Sequence, residues 1–175
     1  KKIGFGIGLL QVLFFFFFLV LYGCGPKNTP VWLKGNIHTH TLWSDGDAPP
    51  ETVVSWYKQN GYQFLALSDH NILSEDEKWI PVVDKEDPSR WPPPFSIEKL
   101  DKLKKEFGDD WPELRYVGDT LQMRLKTLKE LKDYFEVPGK FLLIPAEEIT
   151  DAFEKKPVHI NATNIQFLIH PQGGK

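Results

Sequence analysis

The run Asn36-Ile37-His38-Thr39-His40-Thr41-Leu42-Trp43-Ser44-Asp45-Gly46 decides how the rest of the chain is read. It closes an apolar alternation, Val31, Leu33 and Ile37, that predicts a strand over residues 31–37. Residues two apart on a strand point to one face, so His38 and His40 can present two imidazoles to one metal ion. Asp45 sits in a turn-like Ser-Asp-Gly, close enough to fold back over the same place. Two surface histidines and a turn aspartate would look the same in isolation. What separates the readings is that three later elements also end in ligand-type residues.

Working outward, Ala48-Pro49-Pro50-Glu51 opens a helix. Proline is tolerated in a first turn, and an acid suits the positive end of the dipole. Val53, Val54, Trp56 and Tyr57 supply an apolar face, and Asn60-Gly61 ends it. Residues 62–67 form a continuous apolar run, as expected of a parallel strand covered on both faces. It ends at Ser68-Asp69-His70. The order strand, helix, strand, with ligand types at each strand's C-terminal end, is where α/β barrels carry their chemistry.

Residues 71–118 break this rhythm with Trp79, Trp91, Trp111 and Trp91-Pro92-Pro93-Pro94. They read as an irregular and helical insertion, either a surface excursion or a lid over the site. Within it Ile97, Leu100, Leu103 and Phe107 share one face of a helix capped by Ser96. After it, Leu121, Leu125, Leu128, Leu131 and Phe135 predict a helix capped at Asp119-Thr120 and stopped by Pro138-Gly139. A third strand is expected over residues 141–144, followed by Glu147 and Glu148. A short fourth one, over 157–161, carries His159.

The N-terminus reads differently. Lys1-Lys2 precedes an almost wholly apolar run, residues 3–22, interrupted by Gln11. This predicts an export signal or membrane anchor over residues 1–23. Leu21-Tyr22-Gly23-Cys24 resembles a bacterial lipobox, which makes Cys24, the one cysteine, the candidate lipidation site. The domain is then expected outside the cytoplasm, lipid-anchored and facing the periplasm or exterior, with residues 24–30 as a tether. Removing residues 1–23 lowers the net charge from −3 to −5. That excludes a broad electrostatic footprint for nucleic acid, so none is expected as a partner. The first residue is Lys, and no closing element is evident at the other end, so a fragment is expected, with residues 31–175 the N-terminal part of a domain.

His38, His40, Asp45, Asp69, His70, Glu147, Glu148 and His159 thus gather at strand ends, with four of the five histidines among them. Imidazoles and carboxylates without thiolate suit Zn, Mn or Fe(II), and exclude a structural cysteine zinc site. So many carboxylates with histidines suggest more than one ion. A carboxylate can bridge two ions about 3.5–4 Å apart.

The ordered set His38-x-His40, Ser44-Asp45-Gly46, Leu67-Ser68-Asp69-His70-Asn71, Ala146-Glu147-Glu148-Ile149-Thr150 and Val158-His159 resembles the polymerase and histidinol phosphatase (PHP) superfamily. The likeness covers about residues 32–165 apart from the insertion. It implies an α/β fold, part of a distorted (β/α)7 barrel. It also implies two to three divalent metal ions, Zn, Mn or Fe, and hydrolysis of small phosphoesters by a metal-activated hydroxide. By the resemblance, His38 and His40 hold a first metal, Glu148 bridges, His159 serves a second metal, and Asp45 and His70 a third. Asp69 would orient His70 through its ring N–H. Ala146 stands where the family has Gly. The family's later histidine and C-terminal Asp-x-His find no match here, and His170 reads as a loop residue. Two other functions compete. A metal-dependent amidohydrolase also begins with His-x-His but lacks Ser-Asp-His at its second strand. A non-catalytic lipoprotein would use metal only to stabilise a binding module built on the tryptophan-rich insertion.

Overall fold

The computed structural model describes residues 30–87 and 89–173. The expected signal or anchor (1–23), the lipidated Cys24 and nearly all of the tether lie outside them. The chain divides into Lys1–Trp32 and Leu33–Lys175, and the second unit carries all the sheets and helices described below. Among the described residues no helix is long and apolar enough to cross a membrane.

The architecture is mixed α/β, with eight strands in two sheets and three helices among the described residues. One sheet has the order β1-β2-β7-β8: β1 (Gly35–Asn36), β2 (Phe64–Leu67), β7 (Leu142–Phe153) and β8 (Lys156–Thr163). β1, β2 and β7 run parallel, with Gly35 beside Phe64 and Phe64 beside Leu142. β8 is antiparallel to β7. Helices α1 (Pro50–Gln59) and α3 (Leu128–Phe135) cover one face of this sheet. Val54, Leu131 and Phe135 pack there on Leu65, Leu67 and Leu143. Burying side chains of this size stabilises a fold by about 1.5–3 kcal/mol each.

The second sheet has the order β4-β3-β6-β5: β3 (Trp79–Val83), β4 (Phe95–Ser96), β5 (Leu114–Val117) and β6 (Thr120–Arg124). Helix α2 (Ile97–Phe107) begins where β4 ends, and the Ser96 hydroxyl accepts from Lys99 N–H as expected of a cap. Leu100, Leu103, Phe95, Val82 and Met123 form its core, together with Leu42 and Trp43 from the loop between His40 and Asp45.

A (β/α)7 barrel, complete or partial, is therefore not the fold. A barrel of that type alternates parallel strands with helices. Here only three strands of the first sheet are parallel, and two hairpins break the alternation. Glu154 and Lys155, both at positive φ (48° and 65°), make a two-residue turn that sends β8 back antiparallel to β7. Gly118, at φ 57°, opens the two-residue turn that sends β6 back antiparallel to β5. The insertion is not merely irregular and helical, since it supplies three of the four strands of a mixed sheet. The helix expected from residue 121 begins at Leu128 instead. Leu121 and Met123 alternate on β6, and a Thr127–Glu130 capping box opens the helix seven residues later. Of the strand expected over residues 31–37, only Gly35–Asn36 pairs with a neighbour.

Candidate metal centre

The chain past β1 is stitched to the end of β2. Ser68 N–H donates to Thr39 O (2.8 Å), and Thr39 N–H donates to the Ser68 hydroxyl (3.1 Å). Thr41 N–H donates to Asp69 Oδ1 (2.7 Å). Thr39 and Thr41 are thereby pinned, and His38 before them and His40 between them are aimed at Glu148. Asn36 supports the turn by donating to His38 O (3.0 Å), the Thr39 hydroxyl (2.6 Å) and the Tyr57 hydroxyl (2.7 Å). Gly46 N–H donates to Thr41 O, and a Cβ on Gly46 would lie 2.6 Å from the Thr41 backbone, so the Ser-Asp-Gly turn needs its glycine.

Glu148 lies on β7, 4% exposed, and four imidazoles surround it. Its Oε2 is 2.8 Å from His40 Nε2, 3.3 Å from His38 Nε2 and 3.2 Å from His70 Nδ1. Its Oε1 is 2.8 Å from His159 Nδ1, which the β7–β8 register sets across from Thr150. His38 Nε2 and His40 Nε2 are 3.1 Å apart. Asp45 Oδ1 is 2.7 Å from His40 Nδ1 and its Oδ2 is 3.5 Å from His70 Nε2. Burial pushes the Glu148 carboxyl up. The hydrogen bond from His159 and the charges of His70, His38 and His40 outweigh it, and the net shift is downward. Asp45 follows the same pattern, with burial opposed by the His40 hydrogen bond and the charges of His70 and His40.

No protein-family model matches the chain, and no curated protein matches it. The chemistry of the site rests on its own geometry. Ligands bound about 2.0–2.2 Å from one ion lie about 3–3.5 Å from each other, close to the spacing seen among His38, His40 and Glu148. Three overlapping triads bring one ligand atom from each residue within 4.8 Å of the others: His38, His40 and Glu148; His40, Asp45 and His70; His70, Glu148 and His159. The donors are imidazole and carboxylate throughout, a set that fits Zn, Mn or Fe(II). The cluster of His38, His40, His70, Glu148 and His159 can hold a metal ion.

All six residues expected as ligands are thus brought together. Asp69 is placed differently from its expected role. It is 1% exposed and accepts from Thr41 N–H, the Thr41 hydroxyl (2.8 Å) and the Ser44 hydroxyl (2.6 Å). It therefore holds the loop carrying His40 and Asp45, while the His70 ring meets Thr150, Glu148 and Asp45. Burial pushes the Asp69 carboxyl up more than these bonds lower it. Glu147, counted above among the ligand types, is fully buried, accepts from Ile169 N–H (2.6 Å) and is in none of the three triads. His170 is in none of the three triads. Sequence reasoning missed Thr41, Ser44, Asn71 and Thr150. Their adjacency to His40, Asp45, His70 and Glu148 was the available signal.

Proposed function

We propose that the chain is a metal-dependent phosphoesterase of the PHP type, acting on small phosphomonoesters or phosphodiesters. The observation that carries this reading is Glu148, one buried carboxylate whose two oxygens face four imidazoles. Such a carboxylate is suited to bridging two ions. His38, His40 and Glu148 would hold one ion, His159 with Glu148 a second, and Asp45 with His70 a third, the ions being Zn, Mn or Fe(II). Bound divalent ions supply Lewis acidity toward phosphoryl oxygens and lower the pKa of a water toward neutrality.

The chain's own contribution is positioning. Asp69 ties down the loop that presents His40 and Asp45. The strand-end stitching through Thr39 and Ser68 aims His38. The His38 and His159 side chains are 46% and 41% exposed, so a substrate reaches the cluster from their side without a lid having to open. Preorganised charge of this kind is the usual source of rate in phosphoryl transfer. Residues 1–23 and Cys24 fit an exported, lipid-anchored form of the enzyme.

The test is elemental analysis of the purified full chain beside a His38→Ala/His40→Ala variant, followed by assays with p-nitrophenyl phosphate and its diester. Two to three equivalents of Mn, Fe or Zn, reduced by at least one in the variant, with metal-dependent phosphate release, is the expected result. Less than a tenth of an equivalent in folded protein after reconstitution would sink the proposal. Hydrolysis of amide or carboxylic ester substrates in place of phosphoesters would move it to the amidohydrolase class.

A further inference from the structure

Two acceptors face one nitrogen of His70. Its Nδ1 lies 2.5 Å from the Thr150 hydroxyl oxygen and 3.2 Å from Glu148 Oε2. The Thr150 hydroxyl is itself directed at the Glu148 main-chain carbonyl, 3.3 Å away, which can only accept. With its proton turned to that carbonyl, the hydroxyl leaves a lone pair toward the ring, beside the Glu148 carboxylate oxygen, which can only accept. A neutral imidazole carries a single N–H. On Nδ1 that hydrogen has two acceptors, whereas a bare Nδ1 would face the acceptor-only Glu148 Oε2 lone pair to lone pair at 3.2 Å. Nε2 is then the free ligand atom, and it lies 3.5 Å from Asp45 Oδ2.

Thr150 is held for this task from the opposite side. Asn71, at φ 51°, turns its main chain away from β7. Its side-chain amide continues the ladder in its place: Thr150 N–H donates to Asn71 Oδ1 (2.9 Å), and Asn71 Nδ2 donates to Thr150 O (3.1 Å). The ladder it extends joins Glu148 N–H to Asp69 O and Asn71 N–H to Glu148 O, both 3.1 Å. His40 has a comparable arrangement, with Nδ1 against Asp45 Oδ1. A partner on the non-ligating nitrogen is the usual way a protein sets which nitrogen binds metal.

We propose that Thr150, clamped by Asn71, is a positioning residue that fixes His70 in the Nδ1–H tautomer and so presents Nε2 to a metal on the Asp45 side. The metal half of this statement rests on the centre proposed above. The tautomer half does not, and it can be read on metal-free protein.

The experiment uses the full 175-residue chain in detergent, labelled with 15N at its five histidines, as wild type, Thr150→Val and Thr150→Ser. In metal-free wild type, the His70 signals, assigned by loss in His70→Gln, should show a protonated Nδ1 and an unprotonated Nε2. Thr150→Val should give a mixture of tautomers and weaken one Zn2+ roughly 10–100-fold in titration, leaving any other Zn2+ unchanged. Thr150→Ser should restore both readouts. A Thr150→Val protein with the wild-type tautomer and wild-type Zn2+ affinity overturns the proposal, as does an Nε2–H tautomer in wild type. If wild type binds no Zn2+, the metal centre fails, and the tautomer readings alone decide the role of Thr150.

Discussion

Asp69 and Glu51 are both buried carboxylates, and their surroundings give them opposite values to the fold. Asp69 accepts three hydrogen bonds from Thr41 and Ser44. Its removal leaves buried donors unpaired, at about 1–3 kcal/mol for such a group. Asp69→Ala should therefore lower stability in urea by about 2 kcal/mol and weaken metal binding through Asp45 and His40. Unchanged metal affinity in a folded variant would contradict the role given to this loop. Glu51 is 1% exposed, accepts from Trp111 Nε1–H (3.0 Å) and has no partner for Oε2 among the described residues. Burial pushes its carboxyl above the ordinary 4.5. A raised folded pKa means that stability is fully present below the unfolded pKa and is lost as pH rises through the folded one. Glu51→Gln should thus raise the melting temperature at pH 7, with the gain shrinking as pH falls toward 4.5 and gone below it. Equal gains at both pH values would show that charge is not the cause.

At the scale of elements, α3 carries its own stop and start signals. Thr127 accepts from Glu130 N–H, Glu130 reaches back to Thr127 N–H, and Arg124 forks onto both Glu130 oxygens at 2.6 and 3.0 Å. Thr127→Ala should cost about 1 kcal/mol in denaturant unfolding. The Arg124 hydrogen bonds hold the Glu130 carboxyl down at about 2, against an ordinary 4.5. A depressed folded pKa gives stability that is complete above the unfolded value and lost as pH falls toward the folded one. Glu130→Gln should therefore lower the melting temperature at pH 7 and make no difference near pH 2. The loop between His40 and Asp45 is likewise tied to the second sheet. Trp43 is 2% exposed in that sheet's core, and its ring N–H donates to Lys126 O (3.0 Å). Trp43→Ala should cost about 3–5 kcal/mol. A loss below about 1 kcal/mol in denaturant unfolding would mean that the second sheet does not support the ligand loop.

At the scale of the whole second unit, the candidate metal cluster draws on the loops after β1 and β2 and on β7 and β8. A ligand that binds only the folded state stabilises it by about 2.7 kcal/mol at one hundred times its Kd. Zn2+ or Mn2+ should accordingly raise the melting temperature of the full chain, with chelator reversing the rise. The His38→Ala/His40→Ala variant should lose most of it. An equal shift in that variant would place the bound metal elsewhere.

Much of this was legible in the residues themselves. Ser96 before Ile97, Pro50-Glu51, Asn60-Gly61 and the apolar run ending in Leu67 are signals acting over one helical turn or a few strand positions, and the elements obey them. So does the gathering of His38, His40, Asp45, His70, Glu148 and His159, because each lies on a strand or in the loop that follows one. The spacing of Leu121, Leu125 and Leu128 suggested a helix because a strand that leads into a helix leaves the same trace. Only pairing of Thr120–Arg124 with β5 and β3 decides between them. Strand direction was out of reach for the same reason: β8 is antiparallel because two residues at positive φ close a hairpin, and a short fourth strand carrying His159 suits either direction. The partners of Asp69 and His70 belong to this class too. Thr41 lies 28 residues from Asp69, and Thr150 lies 80 from His70. Local chemistry determined which side chains this protein offers to a metal. Long-range backbone pairing decided which of them meet Glu148 and which neighbours hold them there.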